Sequence, residues 1–214
     1  MVENKKTIYS FLGLPASGKG TQATMLAEKL GLQIVGVGTL VREEIKKDSN
    51  DPFVAEIKKR YEAGVPQTDK IAIDLIENYL KNNNSSVILD GFPFRESQAD
   101  FLDKFVAENP TFDGPVVIYI KIDPETAIKR ITTRKVCSEC GAIFGASDEM
   151  ICEKCGGALV VRTDDNEETM RNRIEFYLPR IKEIVDHYDK SHKVLVINGE
   201  QTIAEVSAEI LKQL

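Results

Sequence analysis

The sequence has 214 residues, of which 42% are hydrophobic and 29% are charged, and its formal net charge at pH 7 is −6. These values are typical of a soluble globular protein and disfavour general electrostatic attraction to nucleic acid or to an anionic membrane. No apolar run is long enough to span a bilayer, and the first residues lead directly into a predicted strand. We therefore expect a cytoplasmic protein without a signal peptide, in which any phosphate ligand binds to a local cluster of basic residues.

The first predicted strand, residues 7–12, leads into a glycine-rich loop at residues 13–22, and a helix is predicted over residues 23–30. A strand, a glycine loop that ends in Gly18 and Lys19, and a helix form the layout of a phosphate-binding loop. The backbone N–H groups of such a loop and the positive end of the helix surround a polyphosphate, and the lysine adds charge. We therefore expect chemistry on a nucleoside triphosphate.

One detail of this loop departs from the general pattern. The general loop has Ser or Thr directly after the lysine, whereas here Gly20 comes before Thr21. This order narrows the class of phosphate-binding protein. The alternative interpretation is an ordinary glycine-rich turn between a strand and a helix.

Strands and helices continue to alternate along the chain. Further strands are predicted at residues 33–36, 86–90, 115–121 and 193–197. Further helices are predicted at residues 68–80, 97–106, 125–135 and 167–188, with Pro179 as a point where the last of these can break, and a capping box at Thr202 and Glu205 opens the C-terminal helix. The alternation predicts an α/β fold with a three-layer core around a five-stranded parallel sheet.

Two stretches do not fit this alternation. Residues about 37–66 have helical patterns with no strand between them, and residues about 136–163 are glycine-rich and contain all the cysteines. Both are predicted to be insertions at the edge of the core. Because ligands of open α/β sheets bind at the carboxyl ends of the strands, insertions there can act as flaps.

An acidic residue ends the predicted strand at residues 86–90. Asp90 would lie at the carboxyl end of that strand, and Gly91 and Pro93 would shape a closely approaching loop after it. In a protein with a phosphate-binding loop, such a residue is suited to hold Mg²⁺ directly or through water. The alternative is a turn or helix-capping aspartate.

The four cysteines form two matching pairs, each followed by glycine: Cys137 with Cys140, and Cys152 with Cys155. Each pair can place two thiolates at a tight turn, and together they supply the four sulfur ligands of a tetrahedral zinc site. Disulfides are the alternative, which a cytoplasmic location disfavours. Since four cysteines fill the coordination sphere, we expect a structural zinc ion that stabilises an insertion too short to bury its own core.

Basic residues flank the cysteine-containing insertion. They are Arg130, Arg134, Arg162, Arg171 and Arg173. Phosphoryl transfer requires cations around the transferred group, and guanidinium groups bind its oxygens well. A solvated helix face is the alternative for any single member of this set.

At this point the chain resembles, nearly from end to end, the adenylate kinase family of nucleoside monophosphate kinases, in its long bacterial form with a zinc-binding lid. The residues that carry the resemblance are 13–22, Arg42, Thr68, Asp69, 90–93, Gln98, Arg130, Arg134, the four cysteines, 162–165 and 168–173. The resemblance implies Mg²⁺-dependent, reversible transfer of the terminal phosphoryl group of ATP to AMP, giving two ADP. It also implies a core at residues 1–35, 66–132 and 166–214, a helical monophosphate-binding insertion at 36–65 and a zinc-binding lid at 133–165. Nothing in the sequence indicates an obligate interface, so we expect a monomer whose partners are these nucleotides.

The resemblance also implies roles for individual residues. The expected catalytic residues are Lys19, Asp90, Arg134, Arg162 and Arg173. Expected ATP-binding residues are Gly13, Ala16, Ser17, Gly18, Lys19, Gly20, Thr21, Arg130, Arg134, Ile143, Phe144 and Gln201. Expected AMP-binding residues are Val37, Gly38, Arg42, Val65, Pro66, Gln67, Gly91, Phe94, Arg95, Gln98, Arg162 and Arg173.

The sequence departs from the family pattern mainly on the monophosphate side. The family has an arginine where this chain has Phe94, and Arg95 follows one position later with the spacing to Gln98 unchanged. Other departures are Val37 for threonine, Thr39 for an acid and Ala16 for glycine. These departures keep two alternatives open: a nucleoside monophosphate kinase with a different acceptor base, and a non-catalytic ATP-binding protein. We expect Arg95 to compensate in part for the missing arginine.

Overall fold

The computed structural model describes residues 5–47, 51–63, 65–145, 149–161, 165–190 and 194–214. The main sheet consists of β1 (Lys6–Leu12), β2 (Gln33–Val35), β3 (Val87–Asp90), β4 (Phe112–Lys121) and β8 (Val194–Asn198). These strands are all parallel, in the order β2-β3-β1-β4-β8. The predicted five-stranded parallel sheet is therefore confirmed.

Helices cover both faces of this sheet. They are α1 (Lys19–Leu30), α2 (Val37–Lys46), α3 (Pro52–Glu62), α4 (Asp69–Asn82), α5 (Glu96–Glu108), α6 (Pro124–Thr133), α7 (Glu167–Asp189) and α8 (Ile203–Gln213). On one face, Ile8 and Leu89 pack with α4 and α5 residues such as Leu75. On the other face, Phe11 packs with α1 and α8 residues such as Val206. The core thus has three layers.

The boundaries differ from prediction at several helix ends. Helix α1 begins at Lys19, before the predicted start, because Gly18 adopts a left-handed conformation as its N-cap. Helix α7 continues through Pro179, the point at which the sequence allowed a break. Proline removes one backbone hydrogen bond, but buried residues on either side, Ile174 and Ile181, pack into a common cluster that holds the helix together. The capping box at Thr202 is present as predicted.

The two predicted insertions contain helices and a small separate sheet. Helices α2 and α3 follow β2 without a strand between them. A small antiparallel sheet, in the order β6-β5-β7, is formed by β5 (Lys135–Cys137), β6 (Ile143–Phe144) and β7 (Leu159–Val160) and contains the first cysteine. Within the described ranges, no helix combines the length and the apolar character needed to cross a bilayer.

Candidate active site

The loop between β1 and α1 has a backbone that requires glycine. Gly13 has a φ of 154°, and a Cβ atom there would lie 2.5 Å from Ser17 Oγ and 2.8 Å from the carbonyl oxygen of Ile120. Gly18 has a φ of 93°. Ala16, at the position where the family has glycine, also adopts a positive φ of 63°, so this loop holds a strained residue of the kind found at ligand sites.

A buried hydroxyl lies within this loop. Ser17 is only 3% exposed, and its backbone N–H donates to the carbonyl oxygen of Leu14. Its Oγ has no hydrogen-bond partner among the described residues. Buried polar atoms are normally paired, so a loop with such an atom is suited to a polar ligand. Gly20 and Thr21 lie exposed in the first turn of α1, beside this loop.

Lys19 lies among charges from other elements. Burial lowers the pKa of its ammonium group, Asp90 acts in the opposite direction, and Arg134 lowers the pKa further. These three residues come from α1, from the end of β3 and from the end of α6. Lys19 is therefore within electrostatic reach of a second predicted cation and of the predicted acidic residue, which ends β3 at the carboxyl edge of the sheet.

The segment after β3 is held in place by the neighbouring strand. Ser10 on β1 is fully buried, and its hydroxyl donates to the carbonyl oxygen of Phe92 at 2.6 Å. Gly91 has a φ of 70°, and the bond between Phe92 and Pro93 is cis. Asp90 itself is exposed, so its carboxylate is accessible to a ligand or a cation.

Arg134 makes a two-point ion pair with Asp165. Its Nε and Nη2 donate to the two carboxylate oxygens at 2.9 and 2.7 Å, and the Asp165 side chain is fully buried. Arg130 donates from Nη2 to the carbonyl oxygen of Gly199 at 2.9 Å, and Gln201 donates to the Asn198 carbonyl at 3.1 Å. Thus Arg130 and Gln201, both predicted ATP contacts, share the loop after β8.

The remaining predicted arginines differ in how exposed they are, and one of them is not described by the structure. Arg173 lies partly buried near the start of α7. Arg171, two residues earlier, is exposed and paired with Glu125 and Glu167. It is therefore a surface residue, as the alternative interpretation suggested. Arg162 lies outside the described residues.

The monophosphate side consists of α2 and the segment before α4. Arg42 is exposed on α2 and donates to Thr39 Oγ1 at 3.2 Å; a Cβ atom on Gly38 would lie 3.5 Å from its Nη1. Val37 opens the same helix. The three predicted residues before α4 are Val65 and Pro66, which are exposed, and Gln67, which is partly buried with Oε1 unpaired among the described residues.

Gln98 lies in a network at the start of α5. Its Oε1 accepts from the backbone N–H of Phe94 at 2.8 Å, and its Nε2 donates to Asp69 Oδ1 at 3.1 Å. Arg95 Nε is 3.2 Å from the same Asp69 oxygen, and Ser97 donates to the other oxygen at 3.2 Å. Arg95 therefore shares its anionic partner with Gln98. Asp69 is one of the residues that carry the family resemblance, but its role as the partner of Gln98 was not predicted from the sequence.

Phe94 packs against α7. Its ring centroid lies 4.9 Å from that of Tyr177 and 5.9 Å from that of Phe176, and the Arg180 guanidinium stacks 3.7 Å from the Phe176 centroid. Positions 176 and 177 follow Arg173 by three and four residues, so all three share a helix face. Phe94 thus places an aromatic ring beside the helix face that carries Arg173.

The four cysteines form one cluster. Their sulfur atoms all lie within 4.8 Å of one another, with 3.4 Å between Cys137 and Cys155 and 3.7 Å between Cys140 and Cys152. Zn–S bonds of about 2.3 Å in a tetrahedron give an S···S separation of roughly 3.8 Å. The cluster therefore has the size that a zinc ion requires.

The chemistry of the sulfur atoms also fits a metal. The backbone N–H of Cys140 approaches Cys137 Sγ at 3.5 Å and lowers the pKa of that thiol, while hydrogen bonds with Cys137 and Cys140 raise the pKa of Cys155. Cys137 is therefore the thiol of this pair that most readily forms the thiolate that binds zinc. Gly141 and Gly156, which follow the second cysteine of each pair, have φ values of 71° and 76°. The two predicted turns therefore have the same backbone. Ile143 and Phe144, predicted ATP contacts, form β6 beside them.

The chain is similar to known proteins over nearly its whole length. The sequence profile of the family described as adenylate kinase matches residues 11–193. A curated adenylate kinase of Alkaliphilus oremlandii is 36% identical over 95% of this chain and 96% of its own length. Adenylate kinases of a Geobacillus species and of Thermotoga petrophila are each 34% identical, over 95% and 94% of this chain and 96% and 94% of their own lengths.

Proposed function

The chain belongs to the adenylate kinase family, and from that premise we propose how its own residues transfer the terminal phosphoryl group of ATP to AMP. The reaction is reversible and gives two molecules of ADP. The proposal depends chiefly on one observation: Lys19, which opens α1 after the loop, interacts electrostatically with Arg134 and with Asp90, which ends β3 at the carboxyl edge of the sheet. Ligands of open α/β sheets bind at this edge.

The donor nucleotide occupies the loop between β1 and α1. Gly13 and Gly18 allow its phosphates to approach the backbone, the buried Ser17 hydroxyl contributes a hydrogen bond, and Lys19 lies at the transferred group. Adenylate kinases use Mg²⁺ with ATP, and Mg²⁺ neutralises charge on the outer phosphates; the exposed carboxylate of Asp90 is the group we expect to hold it. Arg130, Gln201, Ile143 and Phe144 surround the base and ribose.

Catalysis is positioning and charge neutralisation. Arg134, Arg162 and Arg173 gather around the two phosphate chains, where guanidinium groups stabilise the charge of the transferred phosphoryl group. Arg42 holds the monophosphate, while Gln98 reads its base. The insertion at residues 36–65 and the lid at 133–165 close over the substrates and exclude water, so that the phosphoryl group is not transferred to water.

We assign a structural role to zinc in the lid. Cys137, Cys140, Cys152 and Cys155 are the ligands, and the separations between their sulfur atoms support this assignment. We also propose that the protein is a monomer and works in the cytoplasm. Light scattering after size-exclusion chromatography tests the oligomeric state.

A coupled assay with four acceptors tests the proposal. Purified protein, ATP and Mg²⁺ are combined with AMP, UMP, CMP or GMP, and ADP formation is followed. We expect clear preference for AMP. A preference for another base would contradict the role assigned to Gln98 in an adenine site. Tight ATP binding without transfer to any acceptor would contradict the catalytic assignment and favour a non-catalytic ATP-binding protein.

A further inference from the structure

The Asp69 carboxylate lies at the centre of the network that holds Gln98. Asp69 is the first residue of α4, after the N-cap Thr68. Its oxygens accept hydrogen bonds from Gln98 at 3.1 Å and from Ser97 at 3.2 Å, and Arg95 Nε lies 3.2 Å away in an ion pair. Gln98 is 6% exposed, and its amide is held at both ends, because its oxygen accepts from the Phe94 backbone at 2.8 Å.

These two contacts fix which way the Gln98 amide faces. A carboxylate only accepts hydrogen bonds, so it requires the NH₂ group of the amide on its side. A backbone N–H only donates, so it requires the amide oxygen on the other side. Rotation of the amide by 180° would place oxygen against the Asp69 carboxylate and NH₂ against the Phe94 N–H, losing both bonds.

We propose that Asp69 is a positioning residue that sets the acceptor base by fixing the orientation of the Gln98 amide. This proposal rests on the proposed function, in which Gln98 reads the base. With one N–H bound to Asp69 and one lone pair bound to Phe94, the amide retains one N–H and one lone pair for the acceptor.

The free N–H and the free lone pair of the Gln98 amide match the edge of adenine in one orientation of the amide only. Adenine carries an exocyclic amino donor next to a ring-nitrogen acceptor, and a primary amide can pair with such an edge through both its atoms. A 6-keto purine such as hypoxanthine has an oxygen where adenine has the amino group. An amide free to rotate would accept either base, whereas an amide fixed by Asp69 favours the amino base.

The experiment compares AMP with inosine 5′-monophosphate as acceptors in the full-length enzyme. The variants are Asp69→Ala and Asp69→Asn. Asp74→Ala is the matched control, since Asp74 lies on the same helix, is 35% exposed against 34% for Asp69, and pairs with Lys70. We expect Asp69→Ala to lower the kcat/KM ratio of AMP to inosine monophosphate about ten-fold, through the KM values more than kcat, because one hydrogen bond of discrimination is lost.

Asp69→Asn keeps an oxygen acceptor but adds an NH₂ group that can face Gln98, so its ratio should fall between those of Asp69→Ala and the unaltered enzyme. If Asp69→Ala does not fold, comparison of Asp69→Asn with the unaltered enzyme tests the proposal. Asp74→Ala should leave the ratio unchanged. A purely structural role for Asp69 would lower the melting temperature without changing the ratio, and that result overturns the proposal.

Gln98→Ala separates this proposal from the proposed function. If Gln98→Ala lowers the ratio and neither Asp69 variant does, Gln98 reads the base without help from Asp69, and the positioning role is wrong. If Gln98→Ala leaves the ratio unchanged, Gln98 does not read the base, and the proposed base contact fails together with this inference. If the kcat/KM ratio of AMP to inosine monophosphate falls in Gln98→Ala and in the Asp69 variants but not in Asp74→Ala, the positioning role is supported.

Discussion

Lys19 carries a charge that the folded protein without its substrate disfavours. Burial lowers the pKa of its ammonium group, and Asp90 offsets this only in part. Between this lowered pKa and the ordinary value for lysine, the unfolded chain binds more protons than the folded chain. The free energy of unfolding therefore rises with pH in that alkaline window as far as Lys19 alone is concerned. We expect substrate phosphates to supply the missing negative charge.

Replacing Lys19 with Met should therefore separate stability from activity. We expect Lys19→Met to lower kcat at least 100-fold, because a cation at the transferred group is lost, and to raise the melting temperature of the protein without substrate. The alkaline rise in unfolding free energy should also become smaller. Activity and denaturant unfolding between pH 8 and 10.5 measure both effects. Lys29→Met, at the exposed end of the same helix, is the control; a Lys19→Met protein that melts below the unaltered protein would contradict the prediction.

Phe94 and Arg95 form the second test at the residue scale. If Arg95 exchanges its Asp69 partner for the acceptor phosphate, Arg95→Ala should raise the KM for AMP about ten-fold and lower turnover, since a charged hydrogen bond is lost. Phe94→Arg should have the opposite effect on KM, because it places a cation beside the α7 face that carries Arg173. Steady-state kinetics with varied AMP measures both.

The control for Phe94→Arg is Phe176→Ala, which removes an aromatic contact of Phe94 without adding charge. It should lower stability by about 1 kcal/mol and leave the KM for AMP unchanged. An Arg95→Ala enzyme with unaltered kinetics would show that Arg95 does not compensate for the arginine that the family has at position 94.

At the scale of elements, one ion pair joins the two ends of the lid. Arg134 directly follows α6, and Asp165 lies two residues before α7. Their bidentate contact, with Asp165 fully buried, closes the insertion at its base. Removing one partner of a buried pair leaves the other charge uncompensated. The pair therefore joins the two ends of the proposed lid, and it also holds a predicted catalytic arginine.

We expect Asp165→Ala to lower the free energy of unfolding by about 3 kcal/mol and to reduce kcat, since Arg134 loses its fixed position. Denaturant unfolding and steady-state kinetics give the two values. Glu167→Gln, which removes an exposed partner of Arg171, is the matched control and should cost less than about 1 kcal/mol. Equal effects of the two substitutions would mean that the buried pair has no special role.

The cysteine cluster gives a second prediction for the lid. Among its described residues, the buried apolar cluster contains only Cys137, Cys152 and Leu159, which is too small to stabilise a fold without a metal. We expect one zinc ion per chain in protein purified without chelator. Removal of the metal should increase hydrogen exchange in β5 and β7 while the core sheet stays protected. Elemental analysis and exchange mass spectrometry measure these effects. Cys140→Ser should abolish stoichiometric zinc, Ser138→Ala should retain it, and metal-free protein with a protected lid would contradict the structural role.

At the scale of the whole molecule, the sequence was most informative where local chemistry decides the structure. The alternating apolar strands were confirmed, with most of their ends within one to three residues of the predicted positions. The capping box at Thr202 and the clustering of the paired cysteines were confirmed as well. The start of α1 was misplaced because a left-handed Gly18 caps it. The continuation of α7 through Pro179 depends on packing between distant segments, which a local pattern does not contain.

The candidate site shows the same contrast between local sequence patterns and contacts between distant segments. The roles of the phosphate loop and the arginines stay predictions, made from residue types and spacing that carry the chemistry. The partners of those residues could not be predicted, since Arg134 meets Asp165 across 31 positions and Gln98 meets Asp69 across 29. Such contacts depend on the packing of α4 against α5 and of α6 against α7. A sequence pattern therefore indicates candidate reacting groups, but it does not indicate the groups that orient them.

The two insertions predict how the whole molecule responds to substrates. Arg42 in one insertion and Arg134 at the base of the other are both assigned to phosphates, so each nucleotide should draw its own flap toward the core. We expect a bisubstrate analogue, two adenosines joined by five phosphates, to reduce the radius of gyration in small-angle scattering more than ATP or AMP alone. At 100 times its Kd it should also stabilise the fold by about 2.7 kcal/mol. Arg42→Ala should weaken the response to AMP and leave the response to ATP unchanged. Stabilisation by the analogue without compaction would mean that the substrates bind a molecule whose flaps do not close.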